Sequence, residues 1–345
     1  MERSVSALAP AAWLRPEPEH DRLLVIDPRA GSFLHREVGD LPSLLRAADV
    51  VVLNDSATLP ASLLGSLRGE PVELRLLARD DETTFRAILF GAGDWRTRTE
   101  DRPPPPWTLA PTPARFGELD AIVTSTDLHP RLVRVRFTSA EDLVPRLFRA
   151  GKSVQYAHVR AELRAWHVQT AFASRPWSFE MPSASRPLGW SLLEKIRARG
   201  VTLARLTHAA GLSSTGDDAL DALLPLDERY DVPRETVEAI ARARTTGGRV
   251  LAVGTTVVRA LEGSFAANGE LRAGVGVTSL RIGPGFLPRV TDGVFTGMHE
   301  AGTSHARLMS AYAPSVLLDR AWNDAARRGY LGHEFGDSTL ILPTP

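Results

Sequence analysis

The hydrophobic period of this chain changes twice, and that change limits the architectures open to it. Up to about residue 62, and again beyond about residue 150, short continuous apolar runs alternate with segments of helical spacing. Between residues 63 and 149 the apolar residues come instead in short alternating stretches split by charged turns. A continuous apolar run buries both faces of a strand and belongs in a sheet covered by helices, whereas an alternating run buries one face and suits a barrel or sandwich. The chain therefore reads as an α/β main domain, residues 1–62 and 150–345, interrupted by a small all-β, barrel-type domain at residues 63–149. A length of 345 residues agrees with two cores.

Within the main domain, Leu23 to Asp27 and Ser32 to Arg36 flank the Arg29-Ala30-Gly31 turn and predict a hairpin. Asp40 to Ala47 has helical spacing, and Asp49 to Leu53 is a buried strand ending at Asn54-Asp55. In the insert, Val72 to Leu77, Phe85 to Phe90 and Leu132 to Phe137 read as strands, and Pro103 to Pro106 as a stiff connector. Further on come a helix over Leu192 to Arg199, a strand over Thr202 to Thr207 and a helix over Pro233 to Thr245 closed by Gly247-Gly248. Strands follow at Arg249 to Val253, Thr278 to Ile282 and Thr339 to Leu342.

Composition excludes several classes. The 41 basic and 41 acidic side chains cancel, so no global field draws the chain to a polyanion, and a nucleic-acid partner would need a local patch. Without cysteine there is no disulfide, thiolate nucleophile or iron–sulfur cluster. No stretch has the length and apolarity of a membrane span, and Met1 to Pro18 lacks a signal-peptide pattern. A cytoplasmic monomer with no membrane partner is expected.

Five segments carry polar chemistry. In Gly247 to Glu262, a glycine and two threonines, Gly254-Thr255-Thr256, stand between a buried strand and a helix. They offer free N–H groups, hydroxyls and the positive end of a helix dipole to a phosphate, carboxylate or sugar hydroxyl, or else form a plain N-cap. Arg259 and Glu262 can share one face of that helix. In Gly283-Pro284-Gly285-Phe286, paired glycines let backbone approach a ligand and Phe286 can stack on a ring; an ordinary turn is the alternative. The run Thr296 to His305 places His299, Glu300 and His305 close together, but His-Glu-x-x-x-x-His misses the spacing of a zinc helix. His299 suits general acid–base work better, since its reference pKa lies near neutrality. Asp337 precedes a strand, where it can orient a hydroxyl or a histidine or simply make an Asp-Ser turn. His208 stands where a strand gives way to a loop rich in small hydroxyls.

Taken in this order, these segments resemble the S-adenosylmethionine:tRNA ribosyltransferase-isomerase family of queuosine biosynthesis, from about Asp21 to Leu342. The resemblance rests on Val51-Val52-Leu53-Asn54-Asp55-Ser56-Ala57-Thr58-Leu59-Pro60-Ala61, on Ala252 to Glu262 with its Gly-Thr-Thr-x-x-Arg-x-Leu-Glu pattern, and on Ile282 to Phe286. The His299 cluster with Ser310-Ala311-Tyr312, and Gly336-Asp337, complete it. It implies a barrel-like α/β main domain interrupted by a β-barrel. It also implies an enzyme that moves the ribosyl part of S-adenosylmethionine to a 7-aminomethyl-7-deazaguanine base in tRNA and rearranges it to an epoxycyclopentanediol, releasing methionine and adenine without a metal. S-adenosylmethionine is then a substrate rather than a resident cofactor. On this resemblance the catalytic candidates are His299, His208 and Asp337. The nucleoside-binding candidates are Asn54, Asp55, Gly254, Thr255, Thr256, Arg259, Glu262, Gly283, Gly285 and Phe286.

The departures from the family pattern are equally specific. Its Gly-Ser-Val-Ala-Ala-Pro-Thr-Ala-Gly-Leu-His-Phe signature falls on Trp177 to Leu188, where Ser178, Pro182 and Ala184 remain and Pro187 replaces the histidine. Its Arg-Phe-Phe-Ser-Tyr run before Gly336 is Leu331-Gly332-His333-Glu334-Phe335 here. Three readings follow: the family reaction on tRNA, a divergent paralogue using a small acceptor, or an inactive protein that binds an adenosyl ligand or RNA. Whether the 177–188 loop lies beside the Gly254 turn bears directly on the choice. So does a basic face, for which Arg131, Arg134, Arg136, Arg146, Arg149, Lys152, Arg160 and Arg164 are the candidates.

Overall fold

A computed structural model describes residues 7–106, 110–212, 215–299 and 303–343. Its main domain is built on a nine-stranded mixed sheet. In spatial order the strands are Gly274–Thr278, Glu228–Val232, Thr202–His208, Val50–Asn54, Val250–Val253, Gly293–Gly297, Ser338–Ile341, Arg22–Asp27 and Ser32–Glu37. The central strands, Thr202–His208 to Gly293–Gly297, run parallel. Glu228–Val232 and Ser338–Ile341 flank them antiparallel.

Helices cover both faces, which is why the central strands read as unbroken apolar runs. Val50, Val52 and Ala252 pack with Ala239 and Ile240 of helix Arg234–Thr245, Val257 and Leu261 of helix Thr255–Asn268, and Leu317 and Trp322 of helix Ser315–Arg327. Val51, Leu53 and Leu251 face the other way, onto Leu192, Leu193 and Ile196 of helix Trp190–Ala198. Successive side chains of one strand thus feed two separate cores.

The second unit is a closed antiparallel barrel of Ser62–Leu67, Glu70–Arg79, Thr84–Phe90, Thr112–Phe116, Leu119–Ser125 and Leu132–Phe137. Leu143 and Leu147 of helix Leu143–Ala150 pack into its core. Closure leaves no free sheet edge. Glu73 is buried inside, accepting from Ser62 Oγ and Arg75 Nε at 2.7 Å each and from Arg102 Nη1 at 2.5 Å. The α/β domain with an inserted β-barrel expected from the pattern is present. The finer barrel-like form of the main domain takes the shape of an open sheet, ending at Gly274–Thr278 on one side and Ser32–Glu37 on the other.

Two local expectations change. The helical spacing of residues 40–47 yields only the short helix Leu41–Leu44, since Leu45 already turns to extended backbone. The strand expected over 278–282 instead spans Gly274–Thr278 and stops where Thr278 Oγ1 accepts the Leu280 N–H at 3.1 Å. Its alternating Gly-Val pattern hid it: Val275 and Val277 face solvent at this sheet end, while Gly276 lies against the Tyr230 ring. Among the described residues no helix is long and apolar enough to cross a membrane.

Candidate functional site

The strand order brings most of the singled-out residues to one edge of the main sheet. Parallel strands end there at Asn54, His208, Val253 and Gly297, and the neighbouring antiparallel strands begin there at Glu228 and Ser338. Ligands of open α/β sheets bind at such carboxyl ends. Asn54 joins three of them. Its side chain donates to the His208 carbonyl at 3.1 Å and to Thr256 Oγ1 at 3.3 Å, and accepts the N–H of His208 at 3.0 Å and of Ser56 at 3.1 Å. Asp55 accepts from Thr207 Oγ1 at 2.6 Å and lies 3.8 Å from Arg205.

Gly254 makes the turn from strand to helix with φ 92° and ψ 152°, a conformation that glycine alone adopts readily. Thr255 and Thr256 then open a helix of 14 residues, whose first N–H groups point to this edge. A Cβ on Gly254 would meet the Ala184 methyl at 3.4 Å. The rewritten 177–188 segment therefore lies directly against this turn. It is held there by pairing of Arg175–Ser178 with Ser56–Thr58 and by Ser178 Oγ, which donates to the His208 carbonyl at 3.2 Å.

A buried charged cluster stands beside the turn. Arg259 donates through Nε to Glu228 Oε2 at 2.7 Å and through Nη1 to the Leu280 carbonyl at 2.7 Å, while its Nη2 has no hydrogen-bond partner among the described residues. His208 Nε2 lies 3.3 Å from Glu228 Oε2, within ion-pair range but outside hydrogen-bonding geometry. Burial would push the Glu228 carboxyl up, but Arg259, then His208 and the Gly211 N–H, bring it down to about 2. It stays ionised near neutrality.

His299 and His305 complete this edge, their ring centroids 4.7 Å apart. Burial, then the neighbouring His305 and His333, holds His299 well below the usual histidine range. Burial likewise lowers His305, on which Glu228 and Arg259 also act, in opposite senses. The neutral His299 ring bonds to Thr296 through Nε2 at 2.7 Å, and its carbonyl accepts from Trp322 Nε1 at 2.9 Å. Glu300 lies outside the described residues.

Other candidates have their polar atoms committed elsewhere. Asp337 follows the same edge, its carbonyl accepting the Met298 N–H at 3.0 Å. Its carboxylate, however, accepts from Arg15 at 2.6 Å and from the N–H groups of Arg22 at 3.1 Å and Leu331 at 2.7 Å. Glu262 does not pair with Arg259. It turns inward and accepts the N–H groups of Arg289, Val290 and Thr291 at 2.9, 3.1 and 2.9 Å and Thr291 Oγ1 at 2.7 Å. Gly283, Gly285 and Phe286 sit in the irregular segment after Thr278. There Phe286 donates its N–H to the Gly283 carbonyl at 3.1 Å and packs on the helix-side core.

A recess open to solvent reaches the cluster at Glu228, with Arg79, Trp177, Phe179 and Arg229 among its walls. Neither Gly254 to Thr256 nor His299 lines it. Glu228 and Trp177 went unassigned in the sequence because Glu228 meets His208 across paired strands and Trp177 meets Arg229 from a separate strand. The Arg229 guanidinium stands 4.1 Å over the Trp177 ring and that of Arg175 4.9 Å from it, a cation–π arrangement no local pattern announces. Of the basic run, Arg134, Arg149 and Lys152 are paired with Asp80, Glu118 and Glu162.

Comparison with known proteins adds family membership. The sequence profile described as "Queuosine biosynthesis protein" matches residues 3–341. An S-adenosylmethionine:tRNA ribosyltransferase-isomerase of Gloeobacter violaceus is 34% identical over 340 residues, covering 94% of this chain and 90% of the relative. One from Thermus thermophilus is 33% identical, with 94% of each chain covered. The crystal structure of an S-adenosylmethionine tRNA ribosyltransferase from Thermotoga maritima shares the fold with a TM-score of 0.54 at 24% identity, covering 96% of both chains. Matched along nearly its whole length, this chain belongs to the queuosine biosynthesis protein family.

Proposed function

We propose that this chain transfers and isomerises the ribosyl moiety of S-adenosylmethionine onto a 7-deazaguanine base in tRNA, as a transferase-isomerase of the queuosine pathway. The observation that carries the reading is the full-length match to enzymes of that name, at 30–34% identity. In this reading residues 1–62 and 150–345 form the catalytic domain and 63–149 the inserted barrel, and the protein acts in the cytoplasm as a monomer.

The reaction needs a base for a proton beside the sulfonium, donors where adenine and methionine leave, and a dry setting for the ribose. His299 is assigned as the base because burial keeps its ring neutral near pH 7, the form from which a base acts. Gly254, Thr255 and Thr256 supply N–H groups and hydroxyls at a helix N-terminus, suited to the nucleoside's oxygens. Arg259 offers a buried Nη2 with no partner among the described residues, and Glu228 beside it keeps the guanidinium in place. His208, Asn54 and Asp55 hold the strand ends in register, Gly283, Gly285 and Phe286 border the site, and Glu262 and Asp337 position its surrounding loops. Trp177 with Arg175 and Arg229 offers a flat cationic platform of the kind that stacks on an unpaired nucleobase, which favours the tRNA acceptor.

Chromatography of S-adenosylmethionine incubated with the protein tests this. Adenine and methionine should appear only when tRNA bearing the 7-aminomethyl-7-deazaguanine base is present. Absence of release with that tRNA would refute the assignment. Release with the free base alone would move the acceptor to a small molecule.

A further inference from the structure

His158, His333 and Glu334, the second of which neighbours His299, place one ligating atom each within 4.8 Å of one another. Each is half-buried, and the His158 and His333 rings stand 4.5 Å apart between centroids. His158 Nε2 lies 3.5 Å from Glu334 Oε2, and both atoms are buried without a hydrogen-bond partner among the described residues. That separation is long for a hydrogen bond. It is close to the roughly 3.4 Å that separates two ligands bound tetrahedrally at 2.0–2.2 Å to one small cation.

We propose that His158, His333 and Glu334 bind a single divalent transition-metal ion of the zinc class. Two imidazoles and one carboxylate are the donor set such ions take, and three protein ligands leave a position open. Two features support it. Glu334 lines a recess that holds a second carboxylate, Glu180, which accepts from the Tyr156 hydroxyl. His333 and Glu334 also stand where the family pattern has Phe and Ser. The ligand set comes from two distant segments, joined where the 151–163 stretch packs on the turn before Ser338–Ile341.

This assignment is independent of the ribosyl-transfer reading and needs no step of that reaction. The test strips purified protein with a chelator, then titrates Zn²⁺ against a chromophoric competitor and records the visible absorption of bound Co²⁺. One ion per chain is expected, with affinity falling at least hundredfold in His158→Ala and in Glu334→Ser, and Co²⁺ intensity typical of four- or five-coordination. His333→Phe should behave alike, and Zn²⁺ should raise Tm in the parent but not in the variants. Unchanged metal-free melting of each variant shows that the loss is local. His20→Ala, which removes an exposed His20–Glu37 pair, should leave the stoichiometry at one. Absence of stoichiometric binding by the parent, or equal affinity in His158→Ala and Glu334→Ser, would overturn the proposal.

Discussion

Glu228→Gln isolates what the buried carboxylate at the sheet edge does. Glu228 is 9% exposed, bonds Arg259 at 2.7 Å and stands 3.3 Å from His208. The variant keeps the shape and a hydrogen-bonding oxygen but removes the charge, leaving Arg259 buried without its anion. The carboxyl is held at about 2 against an ordinary 4.5. That depression corresponds to roughly 3 kcal/mol between its protonation states. Breaking one side of a buried ion pair costs about 3–5 kcal/mol, so two routes agree on about 3. Because the folded-state pKa is depressed, the contribution is fully present above 4.5 and is lost as pH falls toward 2. Urea melts of parent and Glu228→Gln should differ by about 3 kcal/mol at pH 7, and the gap should narrow steadily as pH falls from 4.5 toward 2. A gap under about 0.5 kcal/mol at pH 7, the scale of a surface change, would refute the reasoning, as would one that ignores pH.

Further expectations follow from individual residues. Gly254→Ala forces an L residue into a backbone region reserved for glycine and should cost about 1–3 kcal/mol in a melt while raising KM for S-adenosylmethionine; an unchanged KM would detach the turn from the nucleoside. His299→Ala should lower kcat at least tenfold, about 1.4 kcal/mol. In the parent, the acid limb of kcat should lie below the ordinary histidine value of 6.5, since the base is lost only on protonation and burial lowers that pKa; a limb above 6.5 would exclude His299 as the base. Glu262→Gln removes a carboxylate that accepts from three N–H groups and one hydroxyl, and should cost about 1–3 kcal/mol by thermal melting while leaving Arg259 in place.

Much of the scaffold was legible because it depends on local pattern. The Asp49 to Leu53 and Arg249 to Val253 runs are apolar on both faces and became central strands covered on both sides. Gly247, at φ 72°, closes its helix as its position suggested. The strand at Gly274–Thr278 was hidden because it borders solvent and packs glycine, rather than a large side chain, on Tyr230. Sharing a helix face did not bring Arg259 and Glu262 together. A shared helix face allows that contact, but the N–H groups of residues 289–291 needed a buried acceptor more.

The alternation of apolar runs and the glycine-threonine turn were written into residues adjacent in the chain, where sterics and side-chain period act without help from afar. The partners of charged groups were not. Glu228 meets His208 because their strands pair antiparallel and meets Arg259 because a helix crosses that sheet end, while Asp337 is claimed by Arg15 from the other end of the chain. A buried carboxylate needs donors wherever the fold can bring them, so sheet order decided which ions face the site and which hold its walls.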